Sequence, residues 1–215
     1  MMYRNFIFDL DGTLLDTLAD LAASTNYALN QYGMPEHSID NVRKFVGNGV
    51  GKLIERAVPQ GLGNPQYESV LATFRKHYMK HSLDNTKPYP GIEDMLGRLR
   101  SEGCKVAVVS NKFYDATREL CHHFFPDTVE VAIGERQDIR RKPAPDAVIE
   151  AMRQLGIDRN DTVYVGDSEV DVATARNSLI PCISVLWGFR DKDFLIRHGA
   201  TAFVTSPKDI LGYLC

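Results

Sequence analysis

From Lys105 onward, short apolar runs rich in β-branched residues alternate with segments of helical period. The runs cover residues 106–109, 129–133, 162–165, 183–185 and 202–204, and the helical segments cover 115–122, 146–155, 169–177 and 191–198. Within 146–155, Ala147, Val148, Ala151 and Leu155 share one helical face, and Gly156 follows as a stop signal. Continuous apolar strands alternating with helices predict a mostly parallel sheet covered on both faces. Residues 3–8 form a further strand of this kind. The fold class expected is α/β, doubly wound.

One connection is too long for that pattern. The strand ending at Asp9 and the one ending at Ser110 are separated by about 100 residues, against roughly 30 for a whole strand–helix–strand unit. The excess reads as helices. Leu18, Leu21, Tyr27, Ala28 and Tyr32 form an approximate helical stripe that stops at Gly33-Met34-Pro35. Ser38 is placed to cap a short helix carrying Val42, Phe45 and Val46. A third stripe, Val50, Leu53, Ile54, Ala57 and Val58, closes at Pro59. Pro65 suits the first position of a fourth, with Tyr67, Val70, Leu71, Phe74 and Tyr78. Pro88-Tyr89-Pro90-Gly91 marks the return, and Ile92, Met95, Leu96 and Leu99 build the crossover helix. The expected organisation is a core of residues 1–16 and 87–215 with a helical cap, 17–86, inserted over the first strand's carboxyl end.

Composition narrows the function. The 215 residues are 44% hydrophobic and 25% charged, which suits a folded protein with a sizeable core. No apolar run approaches the ~18 residues of a membrane span, and the first residues lack the layout of a secretory signal. With 25 Lys plus Arg against 28 Asp plus Glu, broad electrostatic binding to nucleic acid is not expected. Four scattered cysteines form no C-x-x-C pair and suggest reduced thiols and a cytoplasmic location. A small anionic metabolite remains a plausible partner, because a local site can be positive on a mildly acidic protein.

Ligands of open parallel sheets bind beyond the carboxyl ends of the strands. Three predicted strand tips carry suitable groups: Asp9-Leu10-Asp11-Gly12-Thr13, Ser110-Asn111-Lys112, and Gly166-Asp167-Ser168-Glu169-Val170-Asp171. Asp9, Asp11 and Asp167 offer oxygen ligands to a hard cation such as Mg²⁺, with no His or Cys to favour zinc. Such a cation would keep the carboxylates ionised, so that one can attack phosphorus. Ser110, Asn111 and Lys142 supply a hydroxyl, an amide and a positive charge for phosphoryl oxygens. Any one of these acids alone reads as a solvated turn residue; the ordered set does not.

The four motifs Phe8-Asp9-Leu10-Asp11-Gly12-Thr13, Val109-Ser110-Asn111, Lys142-Pro143 and Gly166-Asp167 through Asp171, with a cap between the first two, resemble the haloacid dehalogenase superfamily over the whole chain. The resemblance implies a Rossmann-like core and an aspartyl-phosphate formed on Asp9. It implies that Asp11 protonates the leaving oxygen and later activates water. Mg²⁺ would be held by the side chains of Asp9 and Asp167 and the carbonyl of Asp11. Ser110 and Lys142 would hold the phosphoryl group, and Asp171 would orient its neighbours, with direct metal contact left open. Dehalogenases of the superfamily lack an acid at the position of Asp11, so phosphatase chemistry is implied instead.

Residues 42–50 resemble the cap loop of bacterial phosphoglycolate phosphatases, and Trp187-Gly188-Phe189-Arg190 is similar to that group as well. This makes 2-phosphoglycolate the expected substrate and Arg43, Gly47, Asn48, Gly49 and Lys52 the candidate specificity residues. Glycines there let backbone N–H groups approach an anion at a helix start, although they also suit a plain inter-helix turn. A pyrophosphatase, a sugar-phosphate phosphatase or a phosphomutase shares much of the pattern. A receiver-like signalling module would also use an aspartyl-phosphate, but it is shorter and has no such insertion. His77 and His81 have the spacing of a metal pair, yet the flanking Lys76 and Lys80 suggest a solvated face. The adjacent His122 and His123 point to different sides of any helix.

Overall fold

A computed structural model describes residues 2–215 of the chain. The first strand, β1 (Asn5–Phe8), is buried along its length, with Phe6 and Phe8 in one apolar layer and Ile7 in the other. A two-residue strand, β2 (Leu15–Asp16), leads into the helices α1 (Leu18–Asn30), α2 (Ile39–Phe45) and α3 (Val50–Ala57). A 3₁₀ turn at Gly61–Gly63 precedes α4 (Tyr67–His81). The chain returns through β3 (Lys87–Pro88) and α5 (Ile92–Ser101). Then come β4 (Lys105–Phe113), α6 (Tyr114–Phe124), β5 (Val131–Glu135), α7 (Asp146–Leu155) and β6 (Thr162–Gly166). The remainder is α8 (Glu169–Asn177), β7 (Cys182–Val185), α9 (Lys192–Arg197), β8 (Phe203–Val204) and α10 (Pro207–Ile210).

Six strands form one sheet in the order β5-β4-β1-β6-β7-β8, each neighbouring pair parallel. This is the doubly wound α/β architecture expected from the sequence. Asn5 pairs with Lys105 on one side and Thr162 on the other, and Phe8 with Val108 and Val165. β1 and β6 therefore finish level with one another, while β4 runs on past them to Phe113. Chain order leaves β1 in both directions, which makes its carboxyl end the switch point of the sheet. Phe6, Phe8, Val106 and Val108 pack with Leu96 and Leu99 of α5 on one face, while Ile7, Ala107, Val109 and Tyr164 pack with Val148 and Ala151 of α7 on the other. Each fully buried Phe or Leu contributes about 1.5–3 kcal/mol, so the platform beneath the tips is firmly held.

The helices between β2 and β3 have a separate apolar core built on Leu21, Leu29, Val42, Leu53, Ile54, Val70, Phe74 and Tyr78. Ser38 caps α2 as its spacing predicts, accepting from the Asn41 backbone N–H at 3.3 Å. The two connections to the sheet pair with each other: Leu15 lies opposite Pro88 and Asp16 opposite Lys87, antiparallel. Asp20, almost wholly buried in the first turn of α1, reinforces this junction. Its carboxylate accepts from the backbone N–H and side-chain amide of Asn85, and from the N–H and hydroxyl of Thr86, at 2.8–3.0 Å.

Several local expectations differ from what is seen. Pro65 lies in the turn before α4 rather than at its first position, because Asn64 first accepts from the Gln66 N–H at 2.8 Å and holds an extra turn there. Ser110, Asn111 and Lys112 continue β4 instead of ending it, through a register shift against β5 between Val109 and Phe113. Tyr27 is exposed and stacks on His77 at 3.9 Å instead of entering the cap core. The ring of His77 stacks in turn on His81, which bonds Asp84. Among the described residues, no helix is long and apolar enough to cross a membrane.

Replacing Asp20 by alanine strands the four donors of Asn85 and Thr86 at the junction. Asp20→Ala is expected to lower stability by about 2–3 kcal/mol in denaturant titration, against no measurable change for the exposed Asp40→Ala.

Candidate active site

Asp9 leaves the tip of β1 with its backbone N–H still bonded to the Val165 carbonyl, so the sheet sets its direction. Its Oδ1 accepts from the Leu10 N–H at 2.7 Å and pairs with Lys142 Nζ at 2.9 Å. Lys142 also donates to Asp171 Oδ1 at 2.8 Å and to the Tyr164 hydroxyl at 3.0 Å. Asp171 is immobilised from its other side, where Oδ2 accepts from the backbone N–H and hydroxyl of Ser168 in a capping box at the start of α8. Gly166 makes this possible: a Cβ there would overlap the Asp171 carboxyl group. Asp167 approaches Asp9 from the tip of β6, its Oδ2 accepting from the Phe189 N–H at 2.6 Å. Gly12, at φ +82°, and Gly188 clear the space around it, since a Cβ on either would strike the Asp167 side chain.

One carboxylate oxygen from each of Asp9, Asp167 and Asp171 lies within 4.8 Å of the others, all three groups being buried. Burial, then repulsion from Asp171, raises Asp9 to about 7 despite the neighbouring Lys142. Burial, then Asp171 and Asp9, pushes Asp167 well above the ordinary carboxylate range. For Lys142, burial disfavours the ammonium, but Asp171 and Asp9 outweigh it and hold the lysine well above its usual value. Negative charge thus exceeds positive charge at the cluster. The donor set is all oxygen and fits a hard cation. Asp171 has both oxygens engaged by Lys142, Tyr164 and Ser168, whereas Asp9 Oδ2 and Asp167 Oδ1 have no hydrogen bond among the described residues.

Asp11 lies beside this cluster and carries its own counter-charge. Its Oδ1 accepts from Lys112 Nζ at 2.6 Å and from the Thr17 hydroxyl at 2.7 Å. Lys112 is buried, with its ammonium 4.7 Å from the centre of the Tyr78 ring on α4. Burial opposes its charge, but Asp11 and Tyr78 outweigh that and raise it above the usual lysine value. Ser110, also buried, accepts from the Lys112 N–H at 3.2 Å. Asn111 has a use that its sequence position did not indicate. Its amide donates to the carbonyls of Lys142 and, across to the cap, Gly47, at 3.1 and 3.2 Å.

A cavity of about 40 Å³ lies between the acids and the cap, enough for two or three water molecules by the same measure. Asp9, Asp11, Asp167, Ser110 and Asn111 line its floor, while Gly47 and Gly49 line the opposite side with Leu21, Val50 and Leu53. The other cap candidates lie elsewhere. Arg43 and Lys52 have half-exposed side chains paired with Asp40 and Glu55, and Asn48 accepts from Arg56. Arg43 on α2, Lys52 on α3 and Asn48 in the turn between them do not line the cavity. Sequence reading named Lys112 and Arg190 only inside longer runs, without giving either a role, and it missed Tyr164. Tyr164 gave the clearest signal, because a tyrosine inside an apolar strand must find a partner for its hydroxyl.

The model of the family described as haloacid dehalogenase-like hydrolase matches residues 6–185 of this chain. A phosphoglycolate phosphatase of Aquifex aeolicus is 33% identical over 187 residues, covering 86% of this chain and 86% of its own. One from Neisseria meningitidis is 33% identical over 212 residues, covering 96% and 88%. Among solved structures, a candidate phosphoglycolate phosphatase from Lactobacillus delbrueckii subsp. bulgaricus superposes with a TM-score of 0.95 at 39% identity, covering 100% of this chain and 99% of its own.

Gly166→Ala forces Asp171 off Lys142. The expected result is a loss of about 1–3 kcal/mol in thermal or denaturant unfolding. A crystal structure of the variant should show the Lys142–Asp171 contact lengthened.

Proposed function

The chain belongs to the haloacid dehalogenase-like hydrolases and is a phosphoric monoester hydrolase, and from this premise we propose that it hydrolyses 2-phosphoglycolate by way of a phosphoryl group carried on Asp9. The observation that carries the reading is the position of Asp9. Its Oδ1 is bound by Lys142 and the Leu10 N–H, and Oδ2 is left without a partner beside Asp167 and the cavity.

The proposed ion is Mg²⁺, held by Asp9 and Asp167, with Asp11 contributing its carbonyl and Asp171 orienting Lys142 behind them. A divalent ion there would keep the clustered carboxylates ionised and draw charge from the phosphoryl oxygens. In the first step Asp9 Oδ2 attacks phosphorus, forming an O–P bond as the ester O–P bond breaks. Asp11 gives its proton to the departing alkoxide. In the second step Asp11 takes a proton from water, which attacks the same phosphorus and releases inorganic phosphate and free Asp9. Lys112 and Thr17 both bind Asp11 Oδ1, so they orient the carboxyl group with Oδ2 free for these transfers. The Lys142 ammonium and Ser110 hydroxyl hold the phosphoryl oxygens and stabilise charge in the transition state.

The substrate reading draws on the names of the relatives and on the character of the cavity wall. Leu21, Val50 and Leu53 offer no partner for sugar hydroxyls, which favours a short acid over a hexose phosphate. The cavity is small because the cap lies over the strand tips, and movement of the cap about the β2–β3 junction would admit substrate and then exclude water from the first step.

Asp9→Asn is expected to reduce phosphate release at least about a thousandfold with unfolding temperature unchanged or raised. Chelation should abolish wild-type turnover and added Mg²⁺ restore it. Turnover undiminished in Asp9→Asn would remove Asp9 as the nucleophile. In a panel of phosphate esters, 2-phosphoglycolate should give the highest kcat/KM; a higher value for pyrophosphate or a hexose phosphate would replace the substrate assignment.

A further inference from the structure

Two cationic side chains line the cavity, Lys112 and Arg190, and the first is committed to Asp11 at 2.6 Å. Arg190 follows β7 on the loop that also gives Phe189 to Asp167, outside the stretch matched by the family model. Its side chain is 12% exposed. The Nε donates to Glu169 Oε2 at 3.2 Å, one terminal nitrogen to the Arg43 carbonyl at 3.1 Å, and the other to the Val46 carbonyl at 2.8 Å. Those carbonyls lie at the carboxyl end of α2, where unpaired C=O groups attract a cation. A guanidinium has five N–H donors, so two remain.

We propose that Arg190 is a specificity-determining residue whose two free N–H groups receive the carboxylate of the substrate at the cap side of the closed cavity. This rests on the reading of the site as one for a small phosphorylated acid. The floor carries Asp9, Asp11 and Asp167, which repel a second anionic group, so a substrate carboxylate must lie toward the opposite wall. Cap residues on that wall are Leu21, Val46, Gly47, Gly49, Val50 and Leu53, and none of the cap's own cations lines the cavity. The guanidinium, fixed by Glu169, keeps one N–H free on each terminal nitrogen and has given up most of its water. Because the same group bonds two cap carbonyls, it is complete as a receptor only when the cap is shut. Recognition of the acid and closure are then one event.

The test compares kcat/KM for 2-phosphoglycolate and for ethyl phosphate, its counterpart without the carboxylate, in the parent, Arg190→Gln and Arg190→Lys. The expected result for Arg190→Gln is a loss on the acid about 10–100-fold greater than the loss on ethyl phosphate, with Arg190→Lys intermediate in that difference. Equal losses on both esters make Arg190 a cap latch only and overturn the proposal, while leaving the substrate assignment standing. If the parent prefers phospholactate or 3-phosphoglycerate, the same comparison with that ester's uncharged counterpart decides on Arg190, and only the substrate assignment fails. A parent that favours no acid-bearing ester overturns both. Should Arg190→Gln not fold, Arg190→Lys carries the comparison, and an unchanged acid preference in it overturns the bidentate contact.

Discussion

The Lys142 ammonium, buried among Asp9, Asp171 and the Tyr164 hydroxyl, is the contact on which the rest of the site depends. Three buried carboxylates gathered at the strand tips would otherwise repel one another, and burial alone pushes Asp9 and Asp167 toward the neutral form. Removing the lysine from such a buried set typically costs about 3–5 kcal/mol, because it leaves the carboxylates uncompensated. The neighbouring sequence is arranged around this constraint. Gly166 gives up its side chain so that Asp171 can approach, Ser168 fixes the far side of Asp171, and Tyr164 reaches from the strand interior to share the lysine. The β1 and β6 registers place these groups at one level.

The core was readable because the central strands β1, β4 and β6 are buried on both faces along most of their length. Runs such as Phe6-Ile7-Phe8 and Val163-Tyr164-Val165 are apolar throughout, and their tips carry the acids in plain order. Where reading stopped, the cause was three-dimensional. The continuation of β4 through Ser110, Asn111 and Lys112 depends on a register shift against β5, to which nothing local in the sequence points. Asn111 has the chemistry of a phosphate ligand, yet its amide is engaged by the carbonyls of Lys142 and Gly47, contacts 31 and 64 residues away along the chain. Arg43 and Lys52 were chosen for charge and loop position, but they pair with Asp40 and Glu55 and do not line the cavity. The apolar stripes through Val42 and through Leu53 and Ile54 were legible in the sequence; which side of the cap faces the acids was not.

The cap meets the core through few but directed contacts. Asn111 donates to Gly47, and Arg190 donates to the carbonyls of Arg43 and Val46, while Tyr78 brings its ring to Lys112. In each case a core side chain addresses the cap close to Asp9, Asp11 and Asp167. The cap is thereby able to report its position to the chemistry. The apolar wall of Leu21, Val50 and Leu53 supplies shape, and the charged groups from the core supply direction.

The pairing of β2 with β3 has an evolutionary reading. It brings the two ends of a long insertion side by side, so the sheet sees a hairpin and its strand alignment is untouched by whatever lies beyond. Closing a loop at such a point costs only about 0.6 kcal/mol more for each doubling of its length. A module attached in this way can be enlarged, trimmed or exchanged while the acids underneath stay where they are, which lets one hydrolytic engine acquire new clients by changing its roof.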